Sequence, residues 1–352
     1  MTEEKAYTTN LTINRDWAQV PEHIRIENCH ELVRSKDGRV FLSVDHPANN
    51  ILVFSSNGEF ITDWTLGYDG CHGLTLFEHD GVEYLLITQT GVTEHNGIVK
   101  KGLGEVVKAT LDGEVLHTFS NPFELGLYRD PLTYNPTETC VAPNGNIYVA
   151  DGYGASYIHC FTQDGTYQFS FGGSENAPSD SSLINPHGIA IDPRFTDTKG
   201  DPLLVISSRK QSRFKHFTLS GEFVDETYLP GIYPCRAAIL GEYLYAGVCW
   251  SGPVVSNDAM TNYVNRLDES GFVIILNKQG EVVTTIGSAM PEYTNKDLHP
   301  KQAQADSLFI HVHDVLPIDE KTLLISQWRA HQSLPYQIKC HSKKFDITKK
   351  EN

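Results

Sequence analysis

The sequence lacks several things that would point to common functions. None of its seven cysteines, Cys29, Cys71, Cys140, Cys160, Cys235, Cys249 and Cys340, forms a CxxC pair. A zinc ribbon therefore fails, and an odd count without tight spacing points to reduced thiols in the cytosol. Basic residues are few: 28 Lys and Arg face 44 Asp and Glu, a formal net charge of −16. No basic run is interleaved with aromatics, which argues against a nucleic-acid partner. The charge suits solubility or the steering of a cationic ligand. No apolar run has the length of a membrane-crossing helix. The opening "MTEEKAYTTNLTINRD" has neither the basic nor the apolar region of a signal peptide. There is no Gly-x-Ser-x-Gly elbow for serine-hydrolase chemistry, and Gly pairs such as "GLGEV" sit in no βαβ context.

What the sequence does have is a repeat. The unit "CVAPNGNIYVADGYGASYIHCFTQDGTYQFSFGG", residues 140–173, reads as four strands joined by Asn-Gly, a loop and Asp-Gly. Similar units occupy 29–64, 71–119, 186–226, 234–287 and 311–340. Six such units closing in a ring predict an all-β fold, a six-bladed β-propeller. The last unit is one strand short, and "AYTTNLTIN" near the N-terminus is expected to supply it and cover an open edge. No linker divides the chain. The expected organisation is one domain over 1–352: an N-terminal segment with the closing strand to 28, blades over 29–340, and a tail over 341–352. Longer insertions near 91–104, 120–135, 251–269 and 288–308 are expected as loops at the channel mouths, where binding residues gather.

The openings of the six units align. They are Cys29-His30, Cys71-His72, Pro136-Thr137, Pro186-His187, Pro234-Cys235 and Val312-His313. Four of the six place a histidine at one structural position, and equivalent positions in a ring face one axis. Neutral imidazoles converging on an axis suit zinc or iron(II). An isolated histidine beside a turn is ordinarily a hydrogen-bonded rim residue, and His23, His79, His159 and His216 are read that way. Cys235 stands in the histidine register and is a further possible ligand. Asp45 and His46, at the end of a second strand, reach the channel mouth or cap a turn.

The repeat, with "NGNIYVAD" in its third unit, resembles the NHL type. Within that type the chain resembles the catalytic core of the peptidyl-α-hydroxyglycine α-amidating lyases, over roughly residues 29–340. That resemblance implies a six-bladed propeller with a catalytic zinc on three histidines and a structural calcium. "CHGLTL", "NPHGIAI" and "HVHDV" match the zinc motifs and give His72, His187 and His313. Asp314, with the carbonyls of Leu74 and Leu32, would hold calcium. "YVADGY" points to Tyr153 as the active-site tyrosine, and "VISSR" to Arg209 beside the substrate. The chain also departs from that pattern. Val44 replaces an arginine, His311 replaces a methionine, and His30 and Arg236 are additions. His30 is a candidate fourth ligand, and Arg236 a second candidate to hold an oxygen-rich group.

These readings lead to a metal-dependent lyase acting on a small polar, hydroxylated or carboxylated substrate at one mouth of the channel. Two other classes stay open: a metal-dependent hydrolase or isomerase of the lactonase-propeller kind, and a non-catalytic NHL interaction scaffold. The sequence does not give the oligomeric state.

Overall fold

The Asn-Gly and Asp-Gly turns between apolar runs fold as hairpins, and the hairpins assemble into six four-stranded antiparallel sheets. The computed structural model describes residues 11–95, 98–174, 178–252, 271–300 and 308–341. Blade 1 is Cys29–Arg34, Val40–Val44, Ile51–Phe54 and Phe60–Trp64. Blade 2 is Cys71–His79, Val82–Gln89, Glu105–Ala109 and Val115–Thr118. Blade 3 is Glu138–Val141, Ile147–Ala150, Tyr157–Phe161 and Tyr167–Gly172. Blade 4 is Pro186–Thr196, Pro202–Ser208, Arg213–Phe217 and Phe223–Tyr228. Blade 5 is Ile232–Leu240, Tyr243–Ser251, Phe272–Leu276 and Val282–Ile286. Blade 6 is Val312–Asp319, Thr322–Gln327 and Tyr336–Cys340, with Leu11–Asn14 paired antiparallel to Tyr336–Cys340 as its outer strand.

The first strand of every blade touches the first strands of both neighbours, and that of blade 6 touches blade 1, so the ring closes. The apolar core is correspondingly divided. Six clusters each sit between two adjacent blades, for example Val33, Phe41 and Ile51 against Cys71, Leu74 and Ile87. Burial on both faces explains the nearly continuous apolar inner strands, such as Ile147–Ala150. Of the insertions, 91–104 folds as a small hairpin, Val92–His95 with Ile98–Lys101. The segment 120–135 carries a single short 3-10 turn, Pro131–Thr133. The stretch 288–300 holds the hairpin Tyr293–Thr294 with Asp297–Leu298. Residues 253–269 and 301–307 of the remaining insertions, and residues 6–10 of the expected closing segment, lie outside the described residues.

Candidate functional site

The histidine register is built by a repeated break in the sheet. In five blades the ladder between the first two strands slips right after the strand opens: between Cys29 and Leu32, Cys71 and Leu74, Pro186 and Ile189, Pro234 and Ala237, and Val312 and Asp314. A bulge re-aims side chains that a regular pleat would alternate. A hydroxyl on the second strand serves the slip in three of the four histidine-bearing blades, and in blade 6 it bonds the neighbouring blade instead. Ser43 Oγ accepts from Glu31 N at 3.0 Å and donates to His72 O at 2.6 Å. Thr88 Oγ1 accepts from Gly73 N at 2.7 Å, and Ser207 Oγ from Gly188 N at 2.8 Å. Ser326 Oγ donates to His30 O. The glycines after His72 and His187 allow close approach of neighbouring blades. A Cβ on Gly73 would lie 2.5 Å from Thr137 O, and one on Gly188 would lie 2.4 Å from Arg236 Cα.

The four imidazoles meet. Ring centroids are 4.5 Å apart for His30 and His72, 4.7 Å for His72 and His313, and 4.8 Å for His72 and His187. His313 Nε2 lies 3.1 Å from His72 Nε2 and 3.3 Å from His30 Nδ1. The Tyr153 hydroxyl is 3.1 Å from His187 Nε2 and 3.4 Å from His72 Nε2. His72 Nδ1 faces Thr137 O at 2.9 Å, so it carries the proton and leaves Nε2 bare toward the centre. Burial, with the other imidazoles and the Arg209 charge, holds His72, His187 and His313 well below the usual histidine value. All three are neutral at pH 7. His30 Nε2 faces Asp45 Oδ2 at 3.4 Å, and Asp45 also accepts from Asn28 N at 2.8 Å. Burial opposes the Asp45 charge, but His30 and Asn28 hold its carboxyl below the usual value.

Neutral ring nitrogens packed this way cannot all be satisfied by one another, because each pair shares at most one proton. The Nδ1 atoms of His187 and His313 are buried without a partner. Ligand nitrogens about 2.0–2.1 Å from a tetrahedral ion stand about 3.3–3.4 Å from one another. The spacings within the His30, His72 and His313 group are of that order, and its ligand atoms all lie within 4.8 Å. The donor set fits a borderline metal such as zinc or iron(II).

The cluster opens into a cavity of about 730 Å³ whose lining includes His30, His72, His313, Tyr153 and Arg209. Burial pushes the Tyr153 phenol up to about 12, against the opposing Arg209 charge. At neutral pH it is therefore a proton donor. Tyr153 is fixed by its loop: Asp151 Oδ1 accepts from Asn135 N at 2.7 Å, Asp151 Oδ2 from Ala155 N at 2.7 Å, and Tyr153 N donates to Asn135 O at 3.1 Å.

Arg236 requires a correction. Its sequence position beside Cys235 suggested a substrate-holding residue. Instead its guanidinium lies off the cavity lining, among the oxygens expected to hold calcium. Nη2 donates to Leu32 O at 3.0 Å and Asp314 Oδ2 at 2.6 Å, Nη1 to Leu74 O at 3.1 Å, and Nε to Asp314 Oδ1 at 3.1 Å. Glu31 Oε2 and Glu138 Oε2 lie 3.3 Å and 3.9 Å from Nη1. A fixed cation already fills the cage of Asp314, Leu74 and Leu32, so these residues do not fit a calcium site. The four acidic and basic side chains belong to a second ring. The residues after each register position are Glu31, Gly73, Glu138, Gly188, Arg236 and Asp314. Gly188 leaves room for the arginine, and Gly73 for the backbone of Thr137 and Glu138. This second ring lies one residue along from the histidine register in every repeat. Sequence reasoning also passed over the hydroxyls Ser43, Thr88, Ser207 and Ser326, whose signal was a Ser or Thr after apolar residues in four second strands.

Two curated relatives are named for repeats of the expected type. The chain is similar to NHL repeat proteins. It is 25% identical over 182 residues to human NHL repeat-containing protein 3, covering 50% of this chain and 49% of that one. The mouse protein of the same name is 28% identical over 145 residues, 40% of this chain and 39% of its own. The chain thus spans about half or less of the curated relatives it matches. No family profile matches it. Among solved structures, virginiamycin B lyase from Staphylococcus aureus shares the fold at TM-score 0.51 and 14% identity, covering 94% of this chain and 98% of that one. A luciferin-regenerating enzyme does so at TM-score 0.53 and 10% identity, covering 95% and 97%. At these identities the likeness concerns the fold alone. No helix among the described residues is long and apolar enough to cross a membrane.

Proposed function

We propose that the protein is a metal-dependent lyase whose substrate is a small hydroxylated or carboxylated molecule bound at the channel mouth. The observation that carries this reading is the convergence of the His72 and His313 Nε2 atoms with His30 Nδ1, flanked by the His187 ring, whose Nε2 meets the Tyr153 hydroxyl. These histidines would hold zinc or iron(II), which when bound supplies a Lewis acid that polarises a substrate oxygen. The protein's own groups do the rest. Arg209 holds the substrate's anionic end. The Tyr153 phenol donates a proton to the departing oxygen or nitrogen. Asp45, 3.4 Å from His30 Nε2, would keep that ring turned with Nδ1 toward the centre, and the Tyr153 phenol, as it gives its proton to the leaving group, would recover one from the substrate hydroxyl. The placing of Tyr153 and Arg209 beside the cluster supports kinship in mechanism with the amidating lyases, and a lyase is among the propellers sharing the fold. A reducing, cytosolic setting belongs to the same reading, because Cys29, Cys71, Cys140, Cys160, Cys235 and Cys249 are buried free thiols.

The rival classes draw less support. A lactonase-like ion needs carboxylates, but Glu31, Glu138 and Asp314 are engaged by Arg236. A bare scaffold gives no reason for the His72 and His313 Nε2 atoms to face each other at 3.1 Å in the buried centre. The test is elemental analysis of purified protein and of the His187→Ala variant. The expected result is one transition metal per chain, lost in the variant. A chain free of transition metal after gentle purification, and unable to take up zinc, would sink the proposal.

A further inference from the structure

The cavity has two unlike sides. One is polar, with Asn28, Asp45, Thr90, Lys101 and Asn185. The other is aromatic. Tyr233 and Trp250 stack with centroids 4.6 Å apart and planes at 25°. Trp328 follows at 6.0 Å from Trp250, and the Arg329 guanidinium lies 4.4 Å over the Trp328 ring. These residues come from the first and second strands of blade 5 and from just past the second strand of blade 6, so two strands and a loop deliver one surface.

Arg209 sits at the edge of this wall. It is only 3% exposed and lies 5.5 Å from the Tyr233 ring and 5.8 Å from the Trp250 ring. Nη2 reaches Cys235 Sγ at 3.4 Å, and Nε has no partner. No carboxylate among the described residues stands within ion-pair distance of it. Arg236, by contrast, has three. A buried cation without an anion is costly, and aromatic faces offset that only partly. An arginine kept this way inside a cavity is completed by an anionic ligand.

We infer that the substrate carries a flat apolar group, such as an aryl ring, on a carboxylate with an adjacent hydroxyl. Its carboxylate pairs with Arg209, its ring lies along Trp250 and Trp328, and its hydroxyl points to the histidines. The inference rests on the reading above that the histidine cluster is the reacting centre. It goes further in committing to an aryl-bearing hydroxy acid. Stacking on indole, with burial of the ring, should favour such a ligand over its methyl counterpart by about tenfold or more.

The experiment is calorimetric titration of the full chain, first metal-free and then loaded with zinc. Three probes are used: mandelate, lactate, which keeps the hydroxy-acid head without a ring, and 1-phenyl-1,2-ethanediol, which keeps the ring without a carboxylate. Mandelate should bind about tenfold or more tightly than either. Trp328→Leu should bring mandelate down to the lactate value and leave lactate unchanged, while Trp328→Phe restores the preference. Arg209→Gln should weaken mandelate and lactate together and spare the diol. Mandelate binding no tighter than lactate, or not at all at about 10 mM, overturns the inference. A chain that takes up no metal yet prefers mandelate keeps the aryl pocket and removes the lyase reading. A chain that takes up metal without that preference does the reverse.

Discussion

Replacing Arg236 with methionine tests the claim that a built-in cation holds the centre of the ring. The substitution keeps much of the volume and removes the charge. It strips the partner from Asp314, Glu31 and Glu138 and leaves the carbonyls of Leu32 and Leu74 facing one another. Breaking a buried charge cluster by removing one partner costs about 3–5 kcal/mol. With 352 residues, the unfolding entropy is about 0.7 kcal/mol/K, so Tm should fall by about 4–7 °C. The vacated cage then offers only hard oxygens, which is what calcium prefers. Calcium at about 100 times its Kd should return about 2.7 kcal/mol to the variant. The wild-type Tm should not respond, because the guanidinium already occupies the space. Differential scanning calorimetry with calcium or chelator reads both effects. A variant within about 1 °C of wild type, or a wild type stabilised by calcium as much as the variant, would refute the reasoning.

Other consequences follow from the same structure. Burial raises Asp151 from 3.8 to about 6. Its folded value lies above its unfolded one, so its stabilising contribution is complete below pH 3.8 and is lost as pH rises through about 6. The stability of wild type relative to Asp151→Asn should therefore shrink by up to about 3 kcal/mol between about pH 4 and pH 7; urea titrations showing a pH-independent difference would count against it. Gly188→Ala places a methyl 2.4 Å from Arg236 Cα. It should cost about 1–3 kcal/mol or more and lower zinc uptake by shifting His187; an unchanged Tm would mean the blades are not that close. Ser207→Ala strips the acceptor from the buried Gly188 N–H. A loss of about 1–3 kcal/mol is expected, and chemical denaturation with no measurable loss would remove the hydroxyl's assigned role.

The blades were legible because their signal is local. A turn pair such as Asn144-Gly145, flanked by Ala142 and Ile147, forms the same hairpin wherever it falls in the chain. The histidine register was legible for a different reason: once six repeats align, symmetry converts distant positions into neighbours. Arg236 was misplaced because its place beside Cys235 says only that it lies near the axis, while alternation along the strand would be needed to say which way it turns. The ladder slip between Pro234 and Ala237 breaks that alternation, and nothing in the local sequence announces it. The aromatic wall was illegible for want of a repeat. Tyr233, Trp250 and Trp328 occupy three different repeat positions, so no register links them.

The seam of the ring has a consequence in time. His30 opens the first blade and His313 the last, and they face each other across 283 positions of sequence. Loop closure over that span is the slowest kind of contact to establish. During synthesis the first blade must therefore wait, with His30 and His72 in place, until the sixth blade emerges. No shorter, partly made chain owns the complete cluster. A metal taken up there, as proposed, would select finished rings over unfinished ones, and its uptake would mark the moment at which folding is done.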